Sequence, residues 1–498
     1  MSVWDNRMTV KQKWLTGILS CLAACATAYL VSHARNGLLY GSIIIMIPFA
    51  FLVLVLTYRH PILILYALFL YGFFIRAFDR YMLHGRFPVG ILCDGMILYA
   101  YALLFVKGAV EKGTWKRFGD APLPILLIWL AYCIISRFTP ESPGLNAWLS
   151  AARPHMYLVF TIPLFCILLN MKTLKSMLIL WGACSVILTV KGFWQHYVGL
   201  DAEELNMMND YMASTHLLWG KLRVFSLCSD AGQFGVQQGH ALTAGAVLLL
   251  FAKTRKEQIC YLFIALAGLY GMFDSGTRGA IFVPIGGLML YCVLVKNTKL
   301  ILTGLVLGIG FVCFMKYTTI GNGNYAIYRM RTAFNPDKDP SYIVRKQNQQ
   351  ILKDYLSSRP FGGGLGSMDS GSEHSLLKKI PYDSGYVLIW GDQGIVGVIL
   401  YIAMYLYFLA VGTYKVWFVI KNKWLRGVLI AMIAGIGGDM IAHYGNPVMT
   451  QHPTLLVLVF SIATIFVAQH IDREMEERPP QPETAHAGKY RRFTKHAK

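Results

Sequence analysis

Charged side chains are scarce in this sequence. They make up only 14% of its 498 residues, against roughly a quarter in an ordinary soluble domain. Acidic residues are the scarcer kind, with 26 Asp and Glu beside 46 Lys and Arg and a formal net charge of +20. Nucleic-acid binders gather such basic residues on one folded surface, whereas here they separate long apolar runs. The composition excludes a set of soluble domains and indicates a membrane protein with many spans and no nucleic-acid partner.

Several signatures of other protein classes are also missing. Nine of the ten cysteines lie within apolar runs, where they act as small hydrophobic residues, so no disulfide framework or metal-ligand spacing is available. The first apolar run, 14–31, has no clear cleavage site for a signal peptidase and is as long as a spanning helix. No histidine cluster offers an obvious divalent-metal site on the outer side. We therefore expect no metal and no cofactor.

The apolar runs are long enough to cross a bilayer. A span needs about 20 mainly apolar residues, and fourteen segments approach that length. We predict an all-α polytopic membrane protein with about 12–14 transmembrane helices and a large helical periplasmic loop between the late spans. The count depends most on the Pro- and Ser-rich stretch 140–154, which separates the two shortest candidates. The candidate spans are residues 14–33, 38–58, 61–76, 89–106, 123–135, 155–169, 174–193, 236–252, 258–273, 280–295, 300–315, 387–412, 425–442 and 454–470.

Lysines and arginines in alternate short loops set the predicted orientation. The positive-inside rule places these loops, and both termini, in the cytoplasm. In the large outer loop, Ser341 is a candidate helix N-cap after Pro340, and an apolar pattern ended by Pro360 predicts an amphipathic helix that covers a cavity. The predicted regions are a transmembrane bundle of about eleven spans over 1–316 with an outer loop 195–233, a large periplasmic loop 317–383, C-terminal transmembrane helices 384–470, and a disordered basic cytoplasmic tail 471–498.

Four arginines map to the outer side: Arg153, Arg223, Arg278 and Arg345. Each alone is explained by an interfacial side chain that reaches the lipid headgroups. Their convergence on one face, opposite Lys-rich inner loops, favours a binding site instead. Arginine suits phosphate recognition because its planar fork stays charged and offers paired donors.

Two glycine-containing segments lie on the same side. Arg278 follows Ser275 and Thr277 in a short turn whose glycines let the backbone approach a ligand, and the next helix begins there with free amides that favour an anion. The second segment, 360–367, contains Gly364 and Gly366 and lacks the Lys-Ser/Thr ending of a nucleotide P-loop. It is either an anion nest or a flexible connector.

Acidic residues near the membrane boundary are the candidates for proton transfer. Asp383 and Asp392 are expected at the mouth of the cavity. Asp383 either caps the start of a helix or accepts a proton from an attacking hydroxyl, provided that burial raises its pKa; nearby arginines would oppose that rise. Asp94 and Asp439, inside spans, are expected to pair with polar groups of the bundle.

Together these features resemble the bacterial O-antigen ligase and O-antigen polymerase superfamily of multi-spanning glycosyltransferases. The N-terminal spans match only in hydropathy. In ligases the stretch that corresponds to Asp383 usually begins with His-Asn, the His being the proposed base, whereas here it is Asp383-Ser384. His374, nine residues upstream, is the alternative base. The matching features are the Arg223 run, the Ser-Gly-Thr-Arg-Gly-Ala turn, the Ser341 to Arg345 run, the Pro360 to Gly366 run, and the stretch from Asp383 through Tyr386 to Gly397.

The resemblance implies glycan transfer on the periplasmic face of the bacterial inner membrane, in lipopolysaccharide or surface polysaccharide assembly. The donor would be a glycan on undecaprenyl diphosphate, and the acceptor either the lipid A core (ligase) or a second lipid-linked glycan (polymerase). Arg223 and Arg278 would hold the diphosphate, with Arg345 and Arg153 as second candidates, and Asp383 or His374 would act on the acceptor hydroxyl. The reaction would be metal-independent and inverting. A lipid-linked glycan flippase or transporter is the rival from another class; it would favour internal repeats and midplane charges, and we find no convincing repeat.

Overall fold

The computed structural model describes residues 51–477, apart from 86–87, 219, 324, 335–339, 370, 373 and 375. The predicted span 14–33, residues 38–50 of the next one, and the tail beyond residue 477 lie outside the described residues. The chain divides into two compact units, residues 1–64 and 65–498. Every site discussed below belongs to the second unit.

The described residues are mainly helical, and the sheet among them is a hairpin of two-residue strands, β1 (Leu217–Leu218) and β2 (Lys221–Leu222), paired antiparallel. The α-helices, numbered in chain order, are α1 (Phe51–Arg59), α2 (Ile62–Phe73), α3 (Ile75–Phe78), α4 (Gly90–Val110), α5 (Leu123–Ile135), α6 (Leu145–Leu168), α7 (Met171–Tyr197), α8 (Ala202–Met207), α9 (Ala213–His216), α10 (Ala231–Phe251), α11 (Arg255–Asp274), α12 (Phe282–Val295), α13 (Thr298–Tyr317), α14 (Tyr325–Thr332), α15 (Pro340–Leu356), α16 (Gly385–Tyr414), α17 (Lys423–Ala442) and α18 (Thr454–Glu476). Single turns of 3₁₀ or π geometry lie at Asp79–Leu83, Phe118–Asp120, Ser136–Phe138, Met208–Met212, Arg278–Ile281, Leu377–Lys379 and Lys415–Val419.

Eight helices of the described part are long and apolar enough to cross a membrane, and nine if the bent pair α1 and α2 is counted as one span. The all-α polytopic class is thereby confirmed. The predicted span 123–135 coincides with α5, which has 13 residues and is only about 20 Å long at 1.5 Å per residue, too short for a hydrocarbon core of about 30 Å.

The largest error in the predicted spans concerns α6. The sequence reading ends the loop at Pro154, but α6 begins at Leu145 and carries Pro154 inside it. A proline inside a helix is tolerated where a packed bundle satisfies the freed backbone groups. Here Trp148 and Ala152 are buried, and Trp148 Nε1 donates to the carbonyl of Cys133 at 3.2 Å. Packing of this turn therefore outweighs the local signal of the proline.

Glycines and polar pairs hold the central helices together. A Cβ added at Gly268 of α11 would lie 2.6 Å from the Leu242 amide nitrogen, so α10 and α11 touch at backbone distance. His240 Nδ1 and Asp439 Oδ2 lie 2.7 Å apart between α10 and α17, and Asp94 pairs with Arg153 at 3.2 Å. Both aspartates are thus paired, as the sequence predicts.

The amphipathic helix of the large loop is α15. It begins at Pro340, one residue before the predicted N-cap Ser341, because proline with its fixed φ suits the first helical position. Arg345 therefore lies in the second turn of α15. The C-terminal half of α15 packs through Leu352 and Leu356 on Met368, Leu377 and Ile380. This apolar cluster fixes the helix over the start of α16.

The glycine-rich segment 360–367 binds an anion of the protein itself. The carboxylate of Asp392 accepts hydrogen bonds from the Gly366 and Met368 amides, each at 2.9 Å, and from Ser367 Oγ at 3.2 Å. Asp392 is 3% exposed, so the expectation that it lies at the cavity mouth is wrong. The segment is accordingly fastened to α16 by this nest of donors.

Replacing Asp392 with Ala should detach the glycine segment and destabilise the protein. Each buried donor left without an acceptor costs about 1–3 kcal/mol, and three donors lose theirs. We expect a clear fall in the thermal unfolding midpoint, measured by intrinsic fluorescence in detergent. Asp354→Ala is the control, because the Asp354 side chain accepts a hydrogen bond from Gln350 on the exposed surface of α15. Equal midpoints for the two variants would contradict the structural role of the nest.

Candidate active site

A cavity of about 610 Å³ opens where the turn after α11, the helices α14 and α15, the start of α16 and the segment after α17 meet. Four arginines line it together with a single carboxylate. This excess of positive charge in a concave site attracts an anionic ligand. The polar and aromatic lining residues used below are Arg223, Thr277, Arg278, Arg329, Thr332, Arg345, Asp383, Tyr386, Tyr444 and Asn446.

Arg223 is held on one wall by hydrogen bonds. Its Nη1 donates to the Thr215 carbonyl at 2.9 Å, and its Nη2 donates to Thr277 Oγ1 at 3.1 Å. Thr277 Oγ1 in turn donates to the Ala231 carbonyl at 2.8 Å. Arg223 is therefore linked both to α9, through Thr215, and to the turn that carries Arg278.

The polar run after Arg223 is fixed by a buried network. Arg80 donates to the carbonyls of Ser226 and Cys228 at 2.8 and 2.9 Å, and pairs with Glu204 at 3.3 Å. Gln195 Oε1 accepts from the Ser226 amide at 2.7 Å. Ser226 has a φ of 53°, a left-handed conformation that non-glycine residues adopt rarely and that these hydrogen bonds stabilise.

Arg278 projects from the turn that the sequence singled out. Ser275 is fully buried, and its Oγ accepts from the Thr277 amide at 3.1 Å, so its role is to shape the turn. Gly276 has a φ of 56°, which favours glycine. Arg278 Nη1 donates to Thr332 Oγ1 of α14 at 3.4 Å. The turn and α14 thus present Arg278 together.

Arg329 is the site residue that sequence reasoning missed. It lies on α14, is 7% exposed, and donates from Nε to the carbonyl of Gly276. Its helix is only eight residues long and lies inside what the sequence shows as one polar loop. The signal available in the sequence was the pair Arg329 and Arg331, two residues apart in a short amphipathic stretch of that loop. The segment after α17, with Tyr444 and Asn446, carried no such signal.

Arg345 and Asp383 form an ion pair across the cavity rim, with Arg345 Nε 2.9 Å from Asp383 Oδ2. The N-cap of α16 is Ser384, whose Oγ accepts from the Val387 amide. Asp383 therefore does not cap the helix, and its carboxylate is half-exposed at the cavity. Tyr386 lines the same wall and donates from Oη to the Met440 carbonyl at 2.8 Å.

Four of the other predicted site residues lie elsewhere, and for a fifth, Ser341, only the backbone is described. Arg153 lines a second cavity and pairs with Asp94. His374 is not among the residues that line the arginine cavity; its Nε2 lies 3.2 Å from Glu141 and 2.9 Å from Tyr355 Oη.

Gly364 and Gly366 surround Asp392 and pack on the 139–147 segment, where an added Cβ would clash. The structure thus brings together Arg223, Arg278, Arg345, Asp383, Thr277 and Tyr386.

Glu141 anchors the end of α15. It accepts from Tyr355 Oη and pairs with Arg359 Nη2 at 2.8 Å. The hydrogen bond from Tyr355 and the Arg359 charge lower the pKa of Glu141 from its usual 4.5 to about 2. Because the pKa is lowered on folding, the carboxylate stabilises this contact above about pH 4.5 and loses that effect as the pH falls through about 2.

Replacing Glu141 with Gln should loosen α15 at neutral pH, because Arg359 and Tyr355 lose a charged partner. We expect faster backbone hydrogen exchange in α15, and wild-type protein should show the same loosening as the pH falls between about 4.5 and 2. Glu111→Gln is the matched control, since Glu111 forms only an exposed pair with Lys107 on α4. Unchanged exchange in Glu141→Gln would refute the anchor.

Among the described residues, no group of three or more His, Cys, Asp or Glu side chains is arranged to hold a metal ion. The positive charge of the cavity comes from its arginines.

Comparison with known families bears directly on this cavity. Residues 262–402 match the family model described as O-antigen ligase. This part of the chain is therefore similar to the O-antigen ligase family. The predicted resemblance to the O-antigen ligase and polymerase superfamily is confirmed, and it supports a glycosyltransferase of polysaccharide assembly. A search of the curated proteins finds no match to the chain. Arg278, Arg329, Arg345 and Asp383 of the cavity all lie within the matched residues, and Arg223 precedes them.

Proposed function

We propose that this protein transfers a glycan from undecaprenyl diphosphate to an acceptor hydroxyl at the arginine cavity. The observation that carries the proposal is the convergence of Arg223, Arg278, Arg329 and Arg345 on one cavity. Diphosphate becomes a good leaving group once its charge is neutralised, and preformed cationic donors stabilise the charge that develops on it. The arginines supply that charge without a metal.

The second functional group is Asp383, the carboxylate among these arginines. The acceptor oxygen attacks the anomeric carbon, and the bond from that carbon to the phosphate oxygen breaks. The electron pair leaves with the diphosphate, and the hydroxyl proton passes to Asp383. A single displacement of this kind inverts the anomeric carbon. Asp383 is favoured over His374 because it lines the cavity and His374 does not.

Both acceptor classes remain within this proposal, since lipid A core and a second lipid-linked glycan need the same donor chemistry. The Asp383-Ser384 pair in place of the His-Asn usual in ligases favours the polymerase alternative. We place the protein in the bacterial inner membrane with both termini cytoplasmic, so that the arginine cavity faces the periplasm.

Purified protein in detergent, given lipid-linked glycan and either acceptor in the presence of EDTA, tests the proposal. We expect glycan transfer with inversion and release of undecaprenyl diphosphate. A flippase or transporter would consume no donor, because detergent leaves no membrane to cross. Transfer that stops with EDTA and returns with one divalent ion would refute the metal-independent mechanism.

A further inference from the structure

A second cavity, of about 540 Å³, lies directly behind the first. At two places, residues that are adjacent in the chain line different cavities. Tyr382 faces the second and Asp383 the first, while Asn446 faces the first and Pro447 the second. The wall between them is thus only a few residues thick, and it contains Asp383.

The second cavity is also built for an anion. Arg76 and Arg153 line it, and the acidic residue that lines it is Asp230, whose Oδ1 already accepts from the Gln233 amide at 3.0 Å and from Asn446 Nδ2 at 3.4 Å. Arg76 is exposed and has no ion pair among the described residues. Its charge is therefore available to a ligand.

The start of α4 adds further positive potential. Val89 and Gly90 line the cavity, and the N-cap residue Val89 makes no side-chain hydrogen bond to the first turn. An added Cβ at Gly90 would lie only 2.7 Å from Arg153 Nη1. Asp94, one turn into α4, pairs with Arg153 at 3.2 Å and holds its guanidinium beside the helix start, so Arg76 is the arginine of this cavity whose charge has no carboxylate partner among the described residues.

His452 completes the polar wall of this cavity. Burial and the neighbouring Arg76 charge lower the pKa of His452 to about 4. The ring is therefore neutral at pH 7, and the positive charge facing the ligand comes from the two arginines.

We propose that the second cavity is the acceptor site and that Arg76 and Arg153 bind a phosphate group of the acceptor glycolipid. This inference rests on the proposed function, because a transferase needs both substrates at once on either side of the attacking hydroxyl. Each substrate would occupy one cavity, with the reaction at the shared wall. The phosphate could belong to a phosphorylated core sugar or to a second polyprenyl diphosphate.

The test is transfer kinetics of Arg76→Ala and Arg76→Lys in detergent, with phosphorylated lipid A core as acceptor in one arm and a second polyprenyl-diphosphate glycan in the other. We expect Arg76→Ala to raise the KM for the productive acceptor about tenfold or more, with the donor KM unchanged and a partial recovery in Arg76→Lys. The arm that supports transfer identifies the source of the phosphate. Arg255→Ala, at an exposed position, is the control.

Dephosphorylated core provides the second measurement. If Arg76 binds the phosphate, removing that phosphate should raise the wild-type KM and add little further in Arg76→Ala. An unchanged acceptor KM in Arg76→Ala, or an equal rise for donor and acceptor, overturns the acceptor site. Absence of transfer by wild-type protein in both arms would instead overturn the proposed function, so the two failures are distinguishable.

Discussion

Replacing either Arg223 or Arg278 with Ala should reduce glycan transfer by about 100- to 1,000-fold, as the loss of one preorganised donor to a developing anion does in other enzymes. Both guanidinium groups line the arginine cavity and are linked through Thr277 and the turn it belongs to. Their loss weakens charge neutralisation of the leaving diphosphate, so the effect should appear in kcat/KM for the donor. The double variant should lose less than the product of the two factors, because residues that act as a unit are not additive.

The control for these variants lies on the same structural element. Arg255 begins α11, whose other end leads into the turn with Arg278, and a 20-residue helix separates its ends by about 30 Å. Arg255→Ala should transfer glycan at the wild-type rate. Near-normal transfer by both Arg223→Ala and Arg278→Ala, with unchanged thermal unfolding midpoints, would contradict the assignment of this cavity to the donor.

Replacing Asp383 with Asn should lower kcat by about 100-fold or more, the usual contribution of a positioned general base, and leave the donor KM nearly unchanged. Asn keeps the shape and a hydrogen-bond acceptor for Arg345 but cannot take a proton. Asp383→Glu should recover part of the rate. The measurement is kcat at saturating donor and acceptor, in which Asp383→Glu should lie between wild type and Asp383→Asn.

Two further variants separate proton transfer from loss of the ion pair. Arg345→Gln breaks the 2.9 Å contact with Asp383 and keeps the carboxylate, so it should lower kcat less than Asp383→Asn does. His374→Gln should be close to wild type, because His374 lies with Glu141 and Tyr355 away from the cavity lining. Normal transfer by Asp383→Asn together with loss in His374→Gln would assign the base to His374 instead.

The sequence predicts much of this architecture because membrane spans depend on composition over about 20 residues. Arg278 could also be located, since its turn is short and lies directly between two apolar helices. Topology predicts that Arg223 and Arg345 lie on the same side as Arg278, and the structure brings all three to one cavity. Signals of this kind depend only on the local sequence, so they can be recognised without knowing any tertiary contact.

The errors arise where tertiary contacts decide. Arg153 maps to the same side as Arg223, yet it lies behind the wall formed near Tyr382 and Asp383, and no periodicity reveals such a wall. The sequence places Asp392 near the cavity mouth. In the structure the amides of Gly366 and Met368 bind its carboxylate, and no local pattern predicts this contact. Arg329 lies in a polar loop of the sequence, and tertiary hydrogen bonds, from Arg329 to Gly276 and from Arg278 to Thr332, bring α14 to the cavity.

The nest around Asp392 also bears on how the proposed donor would reach the cavity. It joins the glycine segment to α16, and the apolar cluster beneath α15 joins that helix to the start of α16 as well. Ile441 and Tyr444, 47% and 58% exposed, line the same cavity. Under the proposed function, we expect the polyprenyl chain of the donor to contact these two exposed side chains rather than the segments that are fastened to α16.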